Sequence, residues 1–453
     1  MTTPPPQPVF NPALDHHAMP RLRPIRGFPV PAQGPDGKPI NLLGLSDARQ
    51  ISERMVVTVP AAQMILPKLD GSRSIDQIVS EVTAEGAKGL QRSMLETLVA
   101  QLDDAGLLFG PTFDALLAKV RTDYDSLPIL PPGPTAAFAE ALAGRELGKE
   151  ATEEQKRELA PAKLRHAFDE WIAASLEKAD NPSLDTLPKG LIAPHLDYPR
   201  GWMNYAAAWG RVRVVDRPDR VVILGTNHFG FATGVTACDK GFETPLGVCE
   251  VDRPMLDAMR AKLGEPLFAN RFDHEREHSI ELQVAWIQHC LGADDSGKFC
   301  PVFGVLVHDP AVNNGDSYDG QGVGLLPFVE AMKAAIAELP GRTLVVASAD
   351  LSHAGPAFGD RQAVNGPGEE VEKFRNSIVN HDREMLSLVA SNKPEELVAA
   401  MAWQQNPTRW CSTGNLVAAL KICEPSEVRI LNYGAAVDQQ GHTMVTSAAG
   451  AML

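Results

Sequence analysis

Four continuous apolar runs punctuate the chain beyond residue 189: Gly190–Pro194, Val221–Gly225, Pro301–Val307 and Thr343–Ser348. Short runs of this kind, rich in β-branched residues and bounded by Gly, Pro and Asn, read as strands buried on both faces of a parallel sheet. Stripes at helical spacing lie between and after them: Met255, Leu256, Met259 and Leu263, then Ile280, Val284 and Ile287, then Leu325 to Leu339. Strand and helix in alternation predict an α/β fold, a mostly parallel sheet covered by helices on both faces. Val428–Leu431 and Thr443–Thr446 flank Gln440-Gly441 and predict a terminal hairpin.

The first hundred residues follow a different pattern. Asp70-Gly71-Ser72-Arg73 reads as a turn, and Ser74 to Gln77 has the spacing of a capping box, in which the two side chains satisfy each other's backbone amides. Ile75, Ile78, Val79 and Val82 continue as a helix. Leu90, Met94, Leu95, Leu98, Val99 and Leu102 mark a second helix, stopped by Gly106 ahead of the strand-like Leu107–Phe109. Small helices closing on a short strand predict a winged-helix-like binding module over residues 20–112. Residues 1–19 read as a disordered leader with a solvated His16-His17 pair, and 113–134 as a linker. The prolines of Leu127–Pro134 cannot sustain a helix. A charged helical region, Glu140 to Lys178, then leads into the α/β domain of residues 135–453.

Composition narrows the function classes. With 44% apolar and 22% charged residues the chain reads as globular, and a net charge of −15 leaves no basic stripe for a nucleic-acid partner. No apolar run approaches the ~20 residues that span a bilayer. The start, Met1-Thr-Thr-Pro-Pro-Pro, has neither the cationic nor the apolar segment of a secretory signal. The six cysteines are scattered without a C-x-x-C pair, which favours free thiols and a cytoplasmic location.

Candidate chemistry clusters where the strands end. His195 follows the first run, His228 the second, and Asp350 and His353 the last. Ligands of open α/β sheets bind beyond the carboxyl ends of the strands, so these groups are expected to converge there. Neutral imidazoles at His195 and His228 would bind a divalent first-row metal, and a stable open site needs a third ligand. Cys411, just before the helical Leu416–Ile422, is the candidate. A thiol at a helix N-terminus is biased toward the metal-binding thiolate, although the same placement also suits an inert packed thiol. Asp350 and His353 form a carboxylate–imidazole pair suited to proton transfer, while Asp350 could instead cap the next segment. His278 opens a helix and is a further pocket candidate. His308 ends a strand and is a rival ligand, whereas His274 and His289 carry no assigned role. The chain has no G-x-S-x-G elbow, Walker sequence or dinucleotide fingerprint.

Two stretches resemble known families. "LDGSRSIDQIVSEV" and "LDDAGLL" are similar to phrases of PqqD-like peptide-recognition domains. That resemblance implies a module binding a peptide by adding a strand to a sheet edge. The ordered phrases "LIAPHLDY", "VILGTNHFG", "EHSIELQ", "SADLSHAG" and "CSTGNLVAAL" resemble the Memo family, whose bacterial members are called AmmeMemoRadiSam system protein B. The resemblance implies a fold similar to class III extradiol dioxygenases, which hold non-haem Fe(II) with two His and a Glu. It places metal ligands at His195, His228 and Cys411, with His353 in the position of the dioxygenase acid/base beside Asp350. It also implies association with radical-SAM and AMMECR1-like proteins. Two departures stand out: Leu196-Asp197-Tyr198 replaces the usual Gly-Tyr phrase, and Cys411 occupies the place of the dioxygenase carboxylate. A thiolate is softer and more oxidisable, so ring cleavage does not carry over.

Three readings follow. The first is an iron or copper redox enzyme, with His353, Asp350 and His278 as its catalytic residues and a radical-SAM partner. The second is a metal-binding adaptor that keeps a dioxygenase-like pocket without turnover. The third and weakest is metal-assisted hydrolysis by a His-His-Cys zinc site with a bound water.

Overall fold

A computed structural model describes residues 8–34, 37–86, 89–177 and 179–453. The chain divides into two compact units, Met1–Ser126 and Leu127–Leu453.

In the first unit a short helix, α1 (Asp15–Ala18), precedes an antiparallel sheet in the order β1 (Ile25–Gln33), β2 (Pro39–Asp47), β3 (Met55–Thr58). Three helices follow: α2 (Ile75–Ala84), α3 (Arg92–Asp104) and α4 (Pro111–Ser126). The Ser74–Gln77 capping box forms at the start of α2. Leu43, Leu45 and Val56 of the sheet pack with Ile78, Val82, Leu95, Val99 and Leu102 of the helices. Helix α4 fills much of the stretch read as a linker. Its Pro111 occupies the first helical position, where a missing N–H costs nothing.

The second unit begins with β4 (Ile129–Leu130) and two antiparallel-sequence partners, α5 (Pro134–Leu147) and α6 (Glu153–Leu176). The single charged helical region expected from the sequence is therefore two helices. Gly148, at φ 85°, ends the first, and a Thr152–Gln155 capping box starts the second. Then come β5 (Gly190–Ala193), α7 (Tyr198–Trp209), β6 (Arg220–Thr226), β7 (Thr236–Ala237), β8 (Gly241–Thr244), β9 (Gly247–Cys249) and α8 (Arg253–Leu263). They are followed by α9 (His278–Leu291), β10 (Val302–Val307), α10 (Leu325–Glu338), β11 (Thr343–Ser348), β12 (Asp350–Ala354) and α11 (Glu369–Ala390). The chain closes with α12 (Pro394–Gln404), α13 (Thr413–Cys423), β13 (Val428–Val437) and β14 (Met444–Met452).

The main sheet runs β12-β14-β5-β11-β6-β10-β7, with β13 also on β14. Its four central strands, β5, β11, β6 and β10, are parallel, while both flanks are antiparallel. The sheet is thus mixed around a parallel core. The terminal hairpin forms, and β14 enters the sheet between β12 and β5. Registers align Ser348 with Ala193, Ala347 with Leu224 and Val307 with Thr226, so the parallel strands end level. Whatever follows each strand is delivered to one edge. Two glycines let helices approach that edge closely. A Cβ on Gly225 would lie 2.5 Å from Ser279 Oγ of α9, and one on Gly414 of α13 would lie 2.1 Å from the His308 carbonyl oxygen. All six cysteines are free thiols. No helix among the described residues is long and apolar enough to cross a membrane.

Candidate metal centre

Beyond the level strand ends lies a cavity of about 660 Å³ lined by His195, His228, His278, Asp350 and His353. His195 follows β5, His228 follows β6, and His278 is the first residue of α9. One ring nitrogen from each of these three imidazoles lies within 4.8 Å of the other two.

The hydrogen bonds fix which nitrogen is free. His195 Nδ1 lies 3.0 Å from the Ser348 carbonyl oxygen, and His228 Nδ1 lies 3.0 Å from Glu277 Oε1. His278 Nδ1 is 3.2 Å from the same Glu277 oxygen. Carbonyl and carboxylate oxygens only accept, so Nδ1 of His195 and of His228 carries a proton, and Nε2 of each is the atom left for a ligand. An imidazole oriented in this way by a carboxylate or carbonyl is the usual arrangement of a metal-ligating histidine. Cys411 Sγ lies 3.4 Å from His195 Nε2 and 3.2 Å from Ser412 Oγ. The donor set of imidazole nitrogens and one sulfur suits iron, copper or zinc.

Glu277 holds this arrangement together. It caps α9 by accepting from Ser279 N at 2.9 Å, and it accepts from His228 N at 2.8 Å. Burial opposes its ionisation, but attraction to His228 outweighs that and holds its carboxyl well below the ordinary range. Burial and the charges of His228 and His278 push His195 well down. His228 moves the opposite way: burial lowers it, and Glu277 with Cys411 raises it well above the ordinary value.

Three expectations change in detail. His278, expected among the catalytic residues, stands with the two metal-ligand candidates. Asp350 turns to His195: its Oδ1 accepts from His195 N at 3.0 Å and its Oδ2 lies 3.7 Å from His195 Nε2. Burial pushes its carboxyl up to about 7. His353 instead has Nδ1 3.0 Å from the Leu351 carbonyl oxygen, and burial pulls it down to about 4. The rival His308 sits outside the cluster, with Nε2 3.2 and 3.1 Å from the carbonyl oxygens of Gly315 and Asp316.

In the first unit, His16 and His17 are packed rather than solvated, and His17 is 2% exposed. Both lie beside Asp103, within metal-ligand distance. Here the hydrogen bonds argue the other way. Asn11 N donates to His17 Nδ1, so the proton sits on Nε2, which donates to Asp103 Oδ2 at 3.0 Å. That tautomer staples the chain start to α3 and offers no lone pair to a cation.

The segment before Cys411 is held by residues that sequence reasoning missed. Gln405, Asn406 and Arg409 have φ of 57°, 47° and 59°. The Asn406 side chain accepts from Trp410 N and donates to its carbonyl oxygen. Trp410 Nε1 donates to Asp382 Oδ1, a carboxylate that also accepts from Ser352, Tyr433 and Thr446. Arg409 donates to the His353 carbonyl oxygen and pairs with Asp360. Asp382, Asp360 and the cross-chain role of Glu277 have no local sequence signature; only the helix-capping position of Glu277 hints at one.

A family model described as Memo-like protein matches residues 158–452. A MEMO1 family protein of Thermus thermophilus is 25% identical over 381 residues, covering 84% of this chain and 99% of its own length. One of Methanopyrus kandleri is 32% identical over 204 residues, 43% of this chain and 65% of its own. One of Thermotoga maritima is 27% identical over 262 residues, 57% of this chain and 79% of its own.

Proposed function

The chain belongs to the Memo family, and from that footing we propose that it binds iron or copper through His195, His228 and Cys411, with His278 beside them, and works as a non-haem redox protein. The observation that carries this reading is the convergence of three imidazoles, two of them with Nδ1 hydrogen-bonded to an acceptor, with the Cys411 thiol 3.4 Å from one of them. A metal held there supplies Lewis-acid and one-electron chemistry. The residues around it do the rest. His353, its Nδ1 committed to Leu351, accepts a proton from substrate at Nε2. Asp350 fixes the backbone at His195. The substrate is unassigned, and the radical-SAM and AMMECR1-like partners belong to this proposal. In the first unit, β3 is a sheet edge beside an apolar recess lined by Val59, Met64, Leu90 and Met94. A PqqD-like role there is to receive a peptide as an added strand.

The second reading, metal binding without turnover, draws on Cys411, because a thiolate is itself oxidisable and suits holding a metal better than activating oxygen on it.

Metal analysis tests the proposal. Protein purified without oxygen is expected to carry about one equivalent of iron or copper, and His195→Ala and Cys411→Ala to lose it. Oxygen consumption separates the enzyme from the adaptor. Zinc as the sole metal would move the assignment to hydrolysis, and no metal in any preparation would end it.

A further inference from the structure

The cavity is larger than its polar floor requires. At about 660 Å³ it far exceeds the ~30 Å³ of a water molecule or similarly small ligand. Asp197 and Arg200 add charge at one side, while Phe138, Leu196, Leu282 and Phe358 give the cavity an apolar wall. Pro134, Ala137 and Phe138 of α5 belong to that wall and lie ahead of residues 158–452, the span of the family model. The imidazoles, Asp350, His353 and Cys411 all lie inside that match.

Helix α5 is attached to the site by a carboxylate from elsewhere. Its N-cap, Gly133, has no side chain to satisfy the first amides. Glu281 of α9 does so instead: Oε1 accepts from Gly133 N and Thr135 N, each at 3.0 Å, and from Thr135 Oγ1. Glu281 lies on the same helix as His278, one turn further on, so the wall is registered directly against a candidate ligand. The Phe138 ring is then fixed from two sides. It stacks on Trp171 at 5.7 Å and meets Tyr198 edge-on at 5.5 Å.

We propose that Phe138 is a specificity-determining residue of this site, selecting ligands with a metal-coordinating head and a ring-sized apolar body. Glu281 is the positioning residue that holds Phe138 in place. The proposal rests on the metal reading above. The motif residues would then define how a ligand is held, and α5 which ligand it is.

The test uses full-length protein loaded with Co(II), whose visible spectrum reports ligand binding, titrated with imidazole and with 4-phenylimidazole. Burial of the phenyl group predicts about tenfold or tighter binding of the second probe by the wild type. In Phe138→Ala that preference should fall to within about threefold of unity while imidazole affinity stays unchanged. Glu281→Ala should lose the preference as well, and Glu281→Gln, which keeps the accepting oxygen, should restore it. A preference that survives Phe138→Ala, or an equal loss for both probes, overturns the assignment of Phe138. A preference that survives Glu281→Ala overturns that of Glu281. Failure to take up Co(II) would count against the metal reading alone. The same probes are then titrated against the metal-free protein by tryptophan emission, since Trp171 stacks on Phe138. A phenyl preference there that is lost in Phe138→Ala upholds the wall, and its absence refutes it.

Discussion

Glu277→Gln is the sharpest perturbation of the candidate centre, because one buried carboxylate serves two imidazoles and a helix start. Its side chain is 1% exposed. Oε1 faces Ser279 N, His228 Nδ1 and His278 Nδ1, and Oε2 faces His228 N at 2.8 Å. Ser279 N, His228 Nδ1 and His228 N donate to it, and His278 stands beside it as a charge partner. Glutamine keeps one accepting oxygen and turns an amide toward a donor. The cheaper orientation leaves oxygen at the Oε1 position and sets NH₂ against His228 N–H. A buried donor left without an acceptor costs about 1–3 kcal/mol of stability.

The larger consequence is for metal binding. Without the charge, His228 Nδ1 loses the partner that raises ring basicity and fixes ring orientation, and His278 loses an adjacent negative charge. Loss of such a partner weakens metal affinity about 10–100-fold, or about 1.4–2.7 kcal/mol. Competition against a chelator of known affinity measures this, with thermal melting of the metal-free variant as the check on folding. A folded variant whose affinity stays within about threefold of wild type would refute the reasoning.

Trp286 on α9 stacks on Phe168, at 3.9 Å, and on Tyr205, at 5.6 Å, both nearly parallel to it. Trp286→Ala should cost about 3–5 kcal/mol in urea unfolding, and a loss below about 1 kcal/mol would show the stack to be unimportant. His274 is buried and pulled down to about 4 by that burial, so between pH 6.5 and 4 the unfolded chain binds a proton the folded one refuses. Stability should therefore fall with pH across that window at about 1.4 kcal/mol per unit for this group, and His274→Leu should flatten the slope relative to wild type. Deleting Met1–Ser126 should leave metal uptake unchanged, since every candidate ligand lies in the second unit. Loss of uptake in a folded truncation would contradict that.

Much of the site was legible because parallel strands, buried on both faces, leave unbroken apolar runs, and the residue after each run is delivered to the sheet edge. That reasoning located His195, His228, Asp350 and His353 without coordinates. What stayed hidden lies in pairings across long stretches of chain. Glu281 satisfies Gly133, 148 residues away, and nothing local to either marks the contact. His278 could be placed at a helix start, but not aimed at the other two rings. The entry of β14 between β12 and β5 was also unreadable, since its nine residues are all buried and show no alternation. His17 looked solvated because its partner, Asp103, is 86 residues away.

The bend that delivers the sulfur carries a cost of its own. Gln405, Asn406 and Arg409 sit in a backbone region that L-residues other than asparagine avoid, at roughly 1–3 kcal/mol for each strained position. The Asn406 clasp on Trp410 and the Asp382 contact with its indole keep that tension from relaxing. Glycine at Gln405 alone would make the chain hardier to heat while letting the thiol drift from its mark, so at this one corner durability and aim pull in opposite directions.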